Sequence, residues 1–385
     1  MKIPINQIMN GDCLEHLKEL PEKSINMCMT SPPYWALRDY GVKGQLGLEP
    51  TFDEYINKLC NIFDEVKRVL RDDGTCWVNI GDTYSATRWT NNTDTGQPMN
   101  NFKDGHRGIN PIKETGNMPD KCLVMIPFRF AIEMVNRGWI LRNTIIWHKR
   151  SCMPSSVKDR FTVDFEYLFL FSKNKKYYFE KQYEGYSKAT MDDSRFNPGS
   201  KKNHTYDGKT EHQPNELKIK AQRGGFKQGN EKGRNKRTVW AINPKPFKEA
   251  HFAVYPEELC ETPIKAGCPE FVCVKCGKPR EKIIEYERKN YISREDRQVA
   301  TGGAVKGGVG KNFPETTMKE KGYTDCGCNA KLEGGIVLDP FFGAGTTGVV
   351  ALKQDKKFIG IELNPEYIKI AQARLKPHLE QRKLI

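Results

Sequence analysis

Residues 336–362, IVLDPFFGAGTTGVVALKQDKKFIGIE, decide the fold. An apolar run, a glycine-rich turn, a helical pattern through Leu352 and a second apolar run ending at Glu362 follow one another. This order is typical of a nucleoside-binding βαβ unit. In such a unit glycines allow close backbone approach, the helix N-terminus favours an anion, and the terminal acid can accept two ribose hydroxyls. The stretch therefore predicts an α/β fold with a Rossmann-like sheet.

The same stretch departs from the usual dinucleotide-binding fingerprint. Asp339 and Pro340 separate the first strand from the glycines, and Glu362 lies nearer to them than the roughly 20 residues expected. A carboxylate at Asp339 would repel a pyrophosphate but would suit the ammonium of an amino-acid-like ligand. These features favour S-adenosylmethionine, with its adenosine toward Glu362 and its aminoacyl end toward the glycine turn. A dinucleotide-binding oxidoreductase is the alternative.

A second chemical stretch, TSPPYW, occupies residues 30–35 and follows a predicted buried strand over 24–29. Two prolines stiffen the backbone at the carboxyl end of that strand, where open α/β sheets place their ligands. Ser31 offers a hydroxyl, the backbone offers carbonyls, and Tyr34 and Trp35 offer flat apolar faces. This combination can hold the amino group of a planar base while an aromatic ring stacks on it. A Pro-Pro turn whose aromatic residues simply pack is the alternative.

The remaining patterns predict the scaffold. Asp12 lies at a predicted strand-to-helix turn, where an aspartate commonly caps the helix. The other predicted elements are a helix from residue 52 capped by Thr51, a turn at 72–74, strands over 75–80, 139–147 and 165–171, a helix over 122–136, a long loop over 83–119, a basic loop over 149–154 and a helix over 365–375.

Composition narrows the class of protein. The chain has 385 residues, a net charge of +14 and 37% hydrophobic residues. The charge favours a polyanionic partner, with nucleic acid ahead of an anionic membrane. No apolar run approaches the roughly 18 residues of a membrane span, and the N-terminal residues lack the apolar core of a signal peptide. We therefore expect a cytoplasmic protein with reduced thiols.

The positive charge is concentrated in residues 173–250, which hold nineteen Lys or Arg and nine Asp or Glu. Tyrosine, phenylalanine and tryptophan are interleaved with these charges. Such a composition suits phosphate contact and base readout in a nucleic acid. A solvated, partly disordered insert is the alternative.

Twelve cysteines in a chain without an export signal argue against a disulfide framework. Cys273 and Cys276 form a CxxC pair, and Cys326 and Cys328 form a CxC pair about fifty residues later. Four thiolates are a suitable ligand set for tetrahedral Zn²⁺, so we predict a structural zinc site there. A redox-active CxxC is the alternative.

Taken together, these stretches resemble the DNA amino-methyltransferases, in the permuted arrangement that places the SPPY motif before the FxGxG motif. The resemblance covers most of the chain. Its segments are 11–12, 30–35, 74–82, 138–149 (GWILRNTIIWHK), 252–264 and 339–362, with Asn364, Pro365 and Tyr367.

The resemblance implies a Rossmann-like methyltransferase fold, S-adenosylmethionine as methyl donor and a flipped base of double-stranded DNA as acceptor. It implies that Asp12 contacts the adenine of the cofactor and that Glu362 binds its ribose. The remaining candidate cofactor-binding residues are Asp339, Phe341, Gly343, Gly345, Thr346 and Thr347. The candidate catalytic residues are Ser31, Pro32, Pro33 and Tyr34.

The implied chemistry is direct methyl transfer to an exocyclic amine. Ser31 and the Pro32 carbonyl would hold the two N–H groups, and Tyr34 would stack on the flipped base. Serine in the first motif position is commoner among cytosine-N4 enzymes, so we predict cytosine N4 as the target. Adenine N6 is the alternative, and a non-catalytic zinc and DNA-binding protein is a remoter one.

The predicted organisation has four parts: a catalytic half over 1–172, a target-recognition region over 173–245, a cofactor-binding half over 246–270 and 334–385, and a cysteine-rich zinc insertion over 271–333. The resemblance also leaves open a cognate restriction endonuclease acting on the same site. We expect a bacterial or phage-encoded protein with no membrane partner.

Overall fold

The computed structural model describes residues 3–37, 39–85, 117–152, 154–187, 233–245, 254–289 and 315–381. The chain divides into two compact units. The first comprises Met1–Glu180, Thr238–Arg280 and Cys326–Ile385, and the second comprises Lys181–Arg237 and Glu281–Asp325.

Helices and strands alternate along the described chain. The helices are α1 (Cys13–Glu19), α2 (Phe52–Val69), α3 (Ile126–Asn136), α4 (Glu257–Gly267), α5 (Thr346–Lys353) and α6 (Pro365–Gln381). The strands are β1 (Gln7–Asn10), β2 (Ile25–Thr30), β3 (Leu70–Ile80), β4 (Ile140–His148), β5 (Phe165–Ser172), β6 (Tyr183–Glu184), β7 (Arg234–Asn235), β8 (Val239–Ala241), β9 (Val272–Cys273), β10 (Lys282–Lys289), β11 (Glu315–Tyr323), β12 (Leu332–Glu333), β13 (Ile336–Asp339) and β14 (Lys357–Glu362).

Eight of the described strands form the central sheet of the first unit, in the order β1-β14-β13-β2-β3-β5-β4-β8. Neighbouring strands are parallel except that β5 runs antiparallel between β3 and β4. The parallel strands therefore end at one edge of the sheet, and β5 begins at that edge. This mixed sheet confirms the predicted Rossmann-like α/β fold, and its topology explains why motifs far apart in sequence reach the same edge.

Two hydrophobic clusters cover the two faces of this sheet. One packs α1, α2 and α3 against residues such as Ile25 and Val78, and the other packs α4, α5 and α6 against residues such as Met27 and Trp77. Strand β2 lies between the clusters and is buried along its whole length. Asn26 is tolerated there because its Oδ1 accepts a hydrogen bond from the Ile336 N–H at 2.9 Å.

Local signals place most of the predicted elements correctly. Thr51 caps α2 as predicted, with its Oγ1 accepting from the Glu54 N–H at 3.2 Å. The predicted helix over 122–136 was too long, because α3 begins only at Ile126. Met125, the residue before α3, adopts a left-handed conformation with φ of 60°. This conformation is incompatible with a right-handed helix, so residues 122–125 stay outside α3.

The predicted turn at residues 72–74 was wrong, since these residues lie inside the continuous strand β3. The pairing of β3 with β2 shifts between Ile25 and Met27, which face Leu70 and Thr75. The Asp-Asp-Gly sequence therefore lies in a β-bulge within the strand and does not end it.

The second unit contains two described antiparallel pairs, β6 with β7 and β10 with β11. Glu184 forms ion pairs with Arg234 at 2.8 Å and Arg237 at 2.6 Å. Most of the predicted loop over 83–119, and residues 188–232 of the basic segment, lie outside the described residues. None of the described helices combines the length and apolar character that a membrane-spanning segment needs.

Candidate active site

A cavity of about 950 Å³ opens at the edge where the parallel strands end. Its walls come from both ends of the chain, because β2 and β13 are neighbours in the sheet. The four candidate catalytic residues line it together with five of the candidate cofactor-binding residues. These are Ser31, Pro32, Pro33 and Tyr34 with Asp12, Phe341, Gly343, Thr346 and Glu362.

The glycine-rich turn forms one wall. The Gly343 N–H donates to Glu362 Oε2 at 2.6 Å, and the Asn364 N–H donates to Glu362 Oε1 at 2.8 Å. Burial raises the pKa of Glu362 above its ordinary value, although these N–H groups act in the opposite direction. The carboxylate is thus fixed at the end of β14, with lone pairs left to accept from a further ligand.

Asp339, Gly345 and Thr347 do not line the cavity. Asp339 is fully buried and accepts hydrogen bonds from the hydroxyls of Thr30 (2.6 Å), Thr347 (2.7 Å) and Tyr255 (3.1 Å) and from the Phe341 N–H (3.1 Å). Burial raises the pKa of Asp339. The predicted contact between Asp339 and a ligand ammonium stays a prediction. The observed hydrogen bonds support an indirect role, in which Asp339 stabilises the conformation of the glycine-rich turn.

Packing of the helices explains why position 345 is a glycine. Its φ is 78°, and a Cβ at this position would lie 2.9 Å from the Cβ of Ala371 in α6. Glycine therefore lets α5 begin close against α6.

Asp12 has the capping role that the sequence suggested. Its Oδ1 accepts from the N–H groups of Leu14 at 2.9 Å and Glu15 at 3.1 Å, at the start of α1. The residue also lines the cavity, so the cap and a ligand contact are compatible.

The catalytic stretch forms a second wall. The Pro33 carbonyl accepts from the Tyr55 hydroxyl at 2.8 Å, which fixes the rigid backbone to α2. Among the described residues no donor contacts the Pro32 carbonyl, so this acceptor is available to a ligand.

The expectation that Trp35 offers a flat face to a ligand was wrong. Trp35 is 1% exposed, and its Nε1 donates to the Glu49 carbonyl at 2.8 Å. Only Tyr34 of the two aromatic residues reaches the cavity.

Three further polar residues line the cavity with Ser31 and Tyr34, and the sequence analysis did not select them as site residues. They are Asn79 near the end of β3, Lys149 after β4 and Glu166 near the start of β5. Ser31 Oγ lies 3.3 Å from Asn79 Oδ1, and the Tyr34 hydroxyl donates to Glu166 Oε2 at 2.6 Å. Burial and the Glu166 carboxylate raise the pKa of Tyr34 well above its ordinary value. For Asn79 and Glu166, a polar residue inside an otherwise apolar strand was the available signal.

A separate cluster joins the four predicted metal ligands within the first unit. The sulfur atoms of Cys273, Cys276, Cys326 and Cys328 lie within 4.8 Å of one another. A hydrogen bond from the Cys276 N–H lowers the pKa of Cys273 to about 6, so this thiol ionises readily. Four convergent sulfurs with a stabilised thiolate fit a tetrahedral metal site. Cys268, which lies outside this cluster, is fully buried in the core.

Comparisons with known proteins cover most of the chain. A family model described as DNA methylase matches residues 25–275 and 326–373. The Type II methyltransferase M.Cfr9I of Citrobacter freundii is 34% identical over 369 residues, covering 96% of this chain and 87% of that protein. M.SmaI of Serratia marcescens is 32% identical over 373 residues, covering 96% and 90%.

Among solved structures, the chain resembles the PvuII DNA methyltransferase, described as cytosine-N4-specific. The TM-score is 0.50 at 18% sequence identity, and the match covers 96% of this chain and 85% of that one. This likeness concerns the fold.

Proposed function

Because this chain belongs to the DNA methylase family of N4/N6 amino-methyltransferases, we propose that it transfers a methyl group from S-adenosylmethionine to the exocyclic N4 of cytosine in double-stranded DNA. One observation carries the proposal. The Ser31-Pro32-Pro33-Tyr34 stretch and the glycine-rich turn line one cavity, although some 300 residues separate them. A base bound by the first wall and a cofactor bound by the second would meet inside it.

The catalytic wall addresses the main chemical difficulty. An exocyclic amine is a poor nucleophile because its lone pair is delocalised into the ring. The Ser31 oxygen and the Pro32 carbonyl can accept its two N–H groups and so turn the lone pair out of conjugation. The rate would then come from orientation and from a preorganised polar site, with no covalent bond to the base.

The cofactor wall offers matching groups. S-adenosylmethionine, when bound, supplies an electrophilic methyl group on a sulfonium. Glu362 can accept the ribose hydroxyls, Asp12 can contact the adenine, and Phe341, Gly343 and Thr346 shape the pocket. Asp339, Gly345 and Thr347 would act indirectly, by holding the turn and the start of α5 in place.

Double-stranded DNA is the proposed partner. The net charge of +14 supports phosphate contact, and residues 173–245 are the proposed target-recognition region. The target base would leave the duplex, and stacking on Tyr34 would replace part of the stacking that it loses. The names of the relatives also support a Type II system, so a restriction endonuclease with the same site is a proposed companion.

Cytosine N4 is preferred over adenine N6 because serine occupies the first position of the SPPY motif. Mass spectrometry of nucleosides from DNA of cells expressing the chain tests the choice. N4-methylcytosine is the expected product, and N6-methyladenine alone would overturn the assignment.

We further propose that the four-cysteine cluster holds a structural Zn²⁺. Four cysteine sulfur atoms within 4.8 Å of one another support it. The family model leaves residues 276–325 unmatched, and we propose that they are part of an insertion. The metal would hold together the two ends of this insertion, next to the paired strands β9 and β12.

A further inference from the structure

We infer that Asn79, Glu166 and Lys149 are positioning residues that keep the Ser31 hydroxyl oriented as an acceptor for the target amine. The inference rests on the proposed role of Ser31. All three side chains line the cavity, and none belongs to the SPPY motif.

The first step concerns the Asn79 amide. Its Nδ2 lies 3.1 Å from Glu166 Oε2 and 3.1 Å from the Tyr167 carbonyl. A backbone carbonyl can only accept, so the NH₂ group must be on the side of the Tyr167 carbonyl and Glu166. The Asn79 Oδ1 must then face Ser31 and the Tyr34 hydroxyl, whose oxygen lies 3.1 Å away. The single proton of that hydroxyl is directed to Glu166 at the shorter distance of 2.6 Å, which leaves Asn79 Oδ1 to Ser31.

The second step concerns the Ser31 hydroxyl. Because Asn79 Oδ1 is an acceptor 3.3 Å away, the Ser31 O–H donates to it. The hydroxyl proton is thereby directed away from the ligand, and the lone pairs of the Ser31 oxygen are free to accept an N–H from a base. Without this constraint the hydroxyl could rotate and present its proton to the amine whose lone pair has to react.

The third step concerns Glu166, which accepts hydrogen bonds from both Asn79 and Tyr34. Its Oε2 accepts from Asn79 and also from the Tyr34 hydroxyl at 2.6 Å, so one carboxylate orients both the acceptor residue and the proposed stacking ring. Lys149 Nζ forms an ion pair with Glu166 Oε1. The ammonium also lies 4.6 Å from the centre of the Trp147 ring. Lys149 therefore holds the Glu166 carboxylate in place through a charge-assisted hydrogen bond within a partly buried site.

The test exchanges the donor and acceptor groups. Asn79→Asp has nearly the same shape but presents an oxygen to Glu166 instead of an NH₂ group. We expect kcat for methyl transfer from radiolabelled S-adenosylmethionine to a long unmethylated DNA of mixed sequence to fall about 100-fold, because the acceptor is misplaced. The KM for DNA and the cofactor affinity should stay near the wild-type values.

Adding Glu166→Gln to Asn79→Asp restores the contact between positions 79 and 166, since the glutamine NH₂ group can donate to the new carboxylate, while the Tyr167 carbonyl still faces an oxygen. The double variant should recover at least about tenfold in kcat over Asn79→Asp alone, a non-additivity that direct coupling requires. Asn143→Asp, at an exposed position of β4, is the matched control and should leave kcat unchanged.

The inference fails if Asn79→Asp turns over normally, or if the double variant is no better than Asn79→Asp. Should Asn79→Asp not fold, Lys149→Met replaces it. That variant is expected to lower kcat about tenfold at unchanged cofactor affinity, with the exposed Lys23→Met as control, and normal turnover would overturn the inference. Ser31→Ala separates the two proposals. Normal turnover in Ser31→Ala overturns the proposed site itself, whereas an inactive Ser31→Ala beside a normal Asn79→Asp overturns only the positioning role.

Discussion

Gly81 lies against the ring of Tyr34, so that a Cβ at position 81 would come within 2.6 Å of the Tyr34 Cε2. Gly81 follows directly after β3, and Tyr34 follows β2, the neighbouring strand. The missing side chain of Gly81 thus makes room for the proposed stacking ring, whose hydroxyl is held by Glu166.

Gly81→Ala should therefore displace Tyr34 while leaving the core intact. We expect kcat to fall about tenfold to 100-fold, because a small displacement of a positioning group is costly. Steady-state methyl transfer measures this effect. Asn143→Ala, at an exposed position of β4, is the control and should behave like the wild type. Unchanged kcat in Gly81→Ala would show that the placement of the Tyr34 ring does not matter for turnover.

Ser31→Ala and Tyr34→Ala should each lose methylation while keeping cofactor affinity. Neither residue belongs to the wall formed by the glycine-rich turn and Glu362, so equilibrium binding of S-adenosylmethionine should match the wild type. We expect kcat to fall by about 100-fold or more for Ser31→Ala, because an acceptor in a preorganised site is removed. Near-normal turnover of either variant would contradict the site assignment.

Cofactor affinity should depend on pH through Glu362. Burial raises the pKa of this carboxyl, so part of it stays protonated at a pH where an exposed glutamate is fully ionised. Only the ionised form can accept from both ribose hydroxyls, and affinity should therefore rise with pH through the raised pKa and then level off. Binding of radiolabelled cofactor across pH measures the profile. Glu362→Gln should bind weakly at every pH, and the exposed Glu54→Gln should keep the wild-type profile.

Stability should depend on pH through Asp339. Its pKa is raised by burial in the folded state, so over the interval between the two pKa values the folded chain keeps a proton that the unfolded chain has released. The stabilising contribution is fully present below the unfolded pKa and is lost as pH rises through the folded pKa. Asp339→Asn should reduce the slope of the free energy of unfolding against pH, as measured by urea denaturation at several pH values, and the raised pKa values of Glu362 and Asp82 should leave a smaller slope of the same sign. Loss of the slope in the exposed Asp53→Asn instead would contradict the assignment.

Removal of the metal should destabilise the four-cysteine cluster. Elemental analysis of the purified protein should find one Zn²⁺ per chain, and a chelator should lower the melting temperature, because metal binding contributes folding free energy. Cys326→Ser should lose the metal, whereas Cys122→Ser, which lies outside the cluster, should keep it. A protein that carries no metal and is indifferent to chelation would rule the zinc site out.

Much of the architecture could be predicted because its signals are local. Thr51 and Asp12 cap the helices that follow them through hydrogen bonds within three residues. The strand-turn-helix-strand order of residues 336–362 was also predictable, since positive φ at the glycines and apolar runs are read from neighbouring residues. The turn at 72–74 was mispredicted because a bulge in pairing with β2, a non-local contact, overrode the Asp-Asp-Gly signal.

The sequence by itself determined the chemical inventory: a stiff SPPY stretch, a glycine-rich turn ending in an acid, and two cysteine pairs. The tertiary structure alone decided which residues meet. Tyr34 faces the cavity and Trp35 the core because α2 packs beside that segment, and Asn79 and Glu166 reach Ser31 and Tyr34 because antiparallel β5 starts where parallel β2 and β3 end. Sheet topology sets such contacts across 48 to 132 residues, and no local pattern encodes that distance.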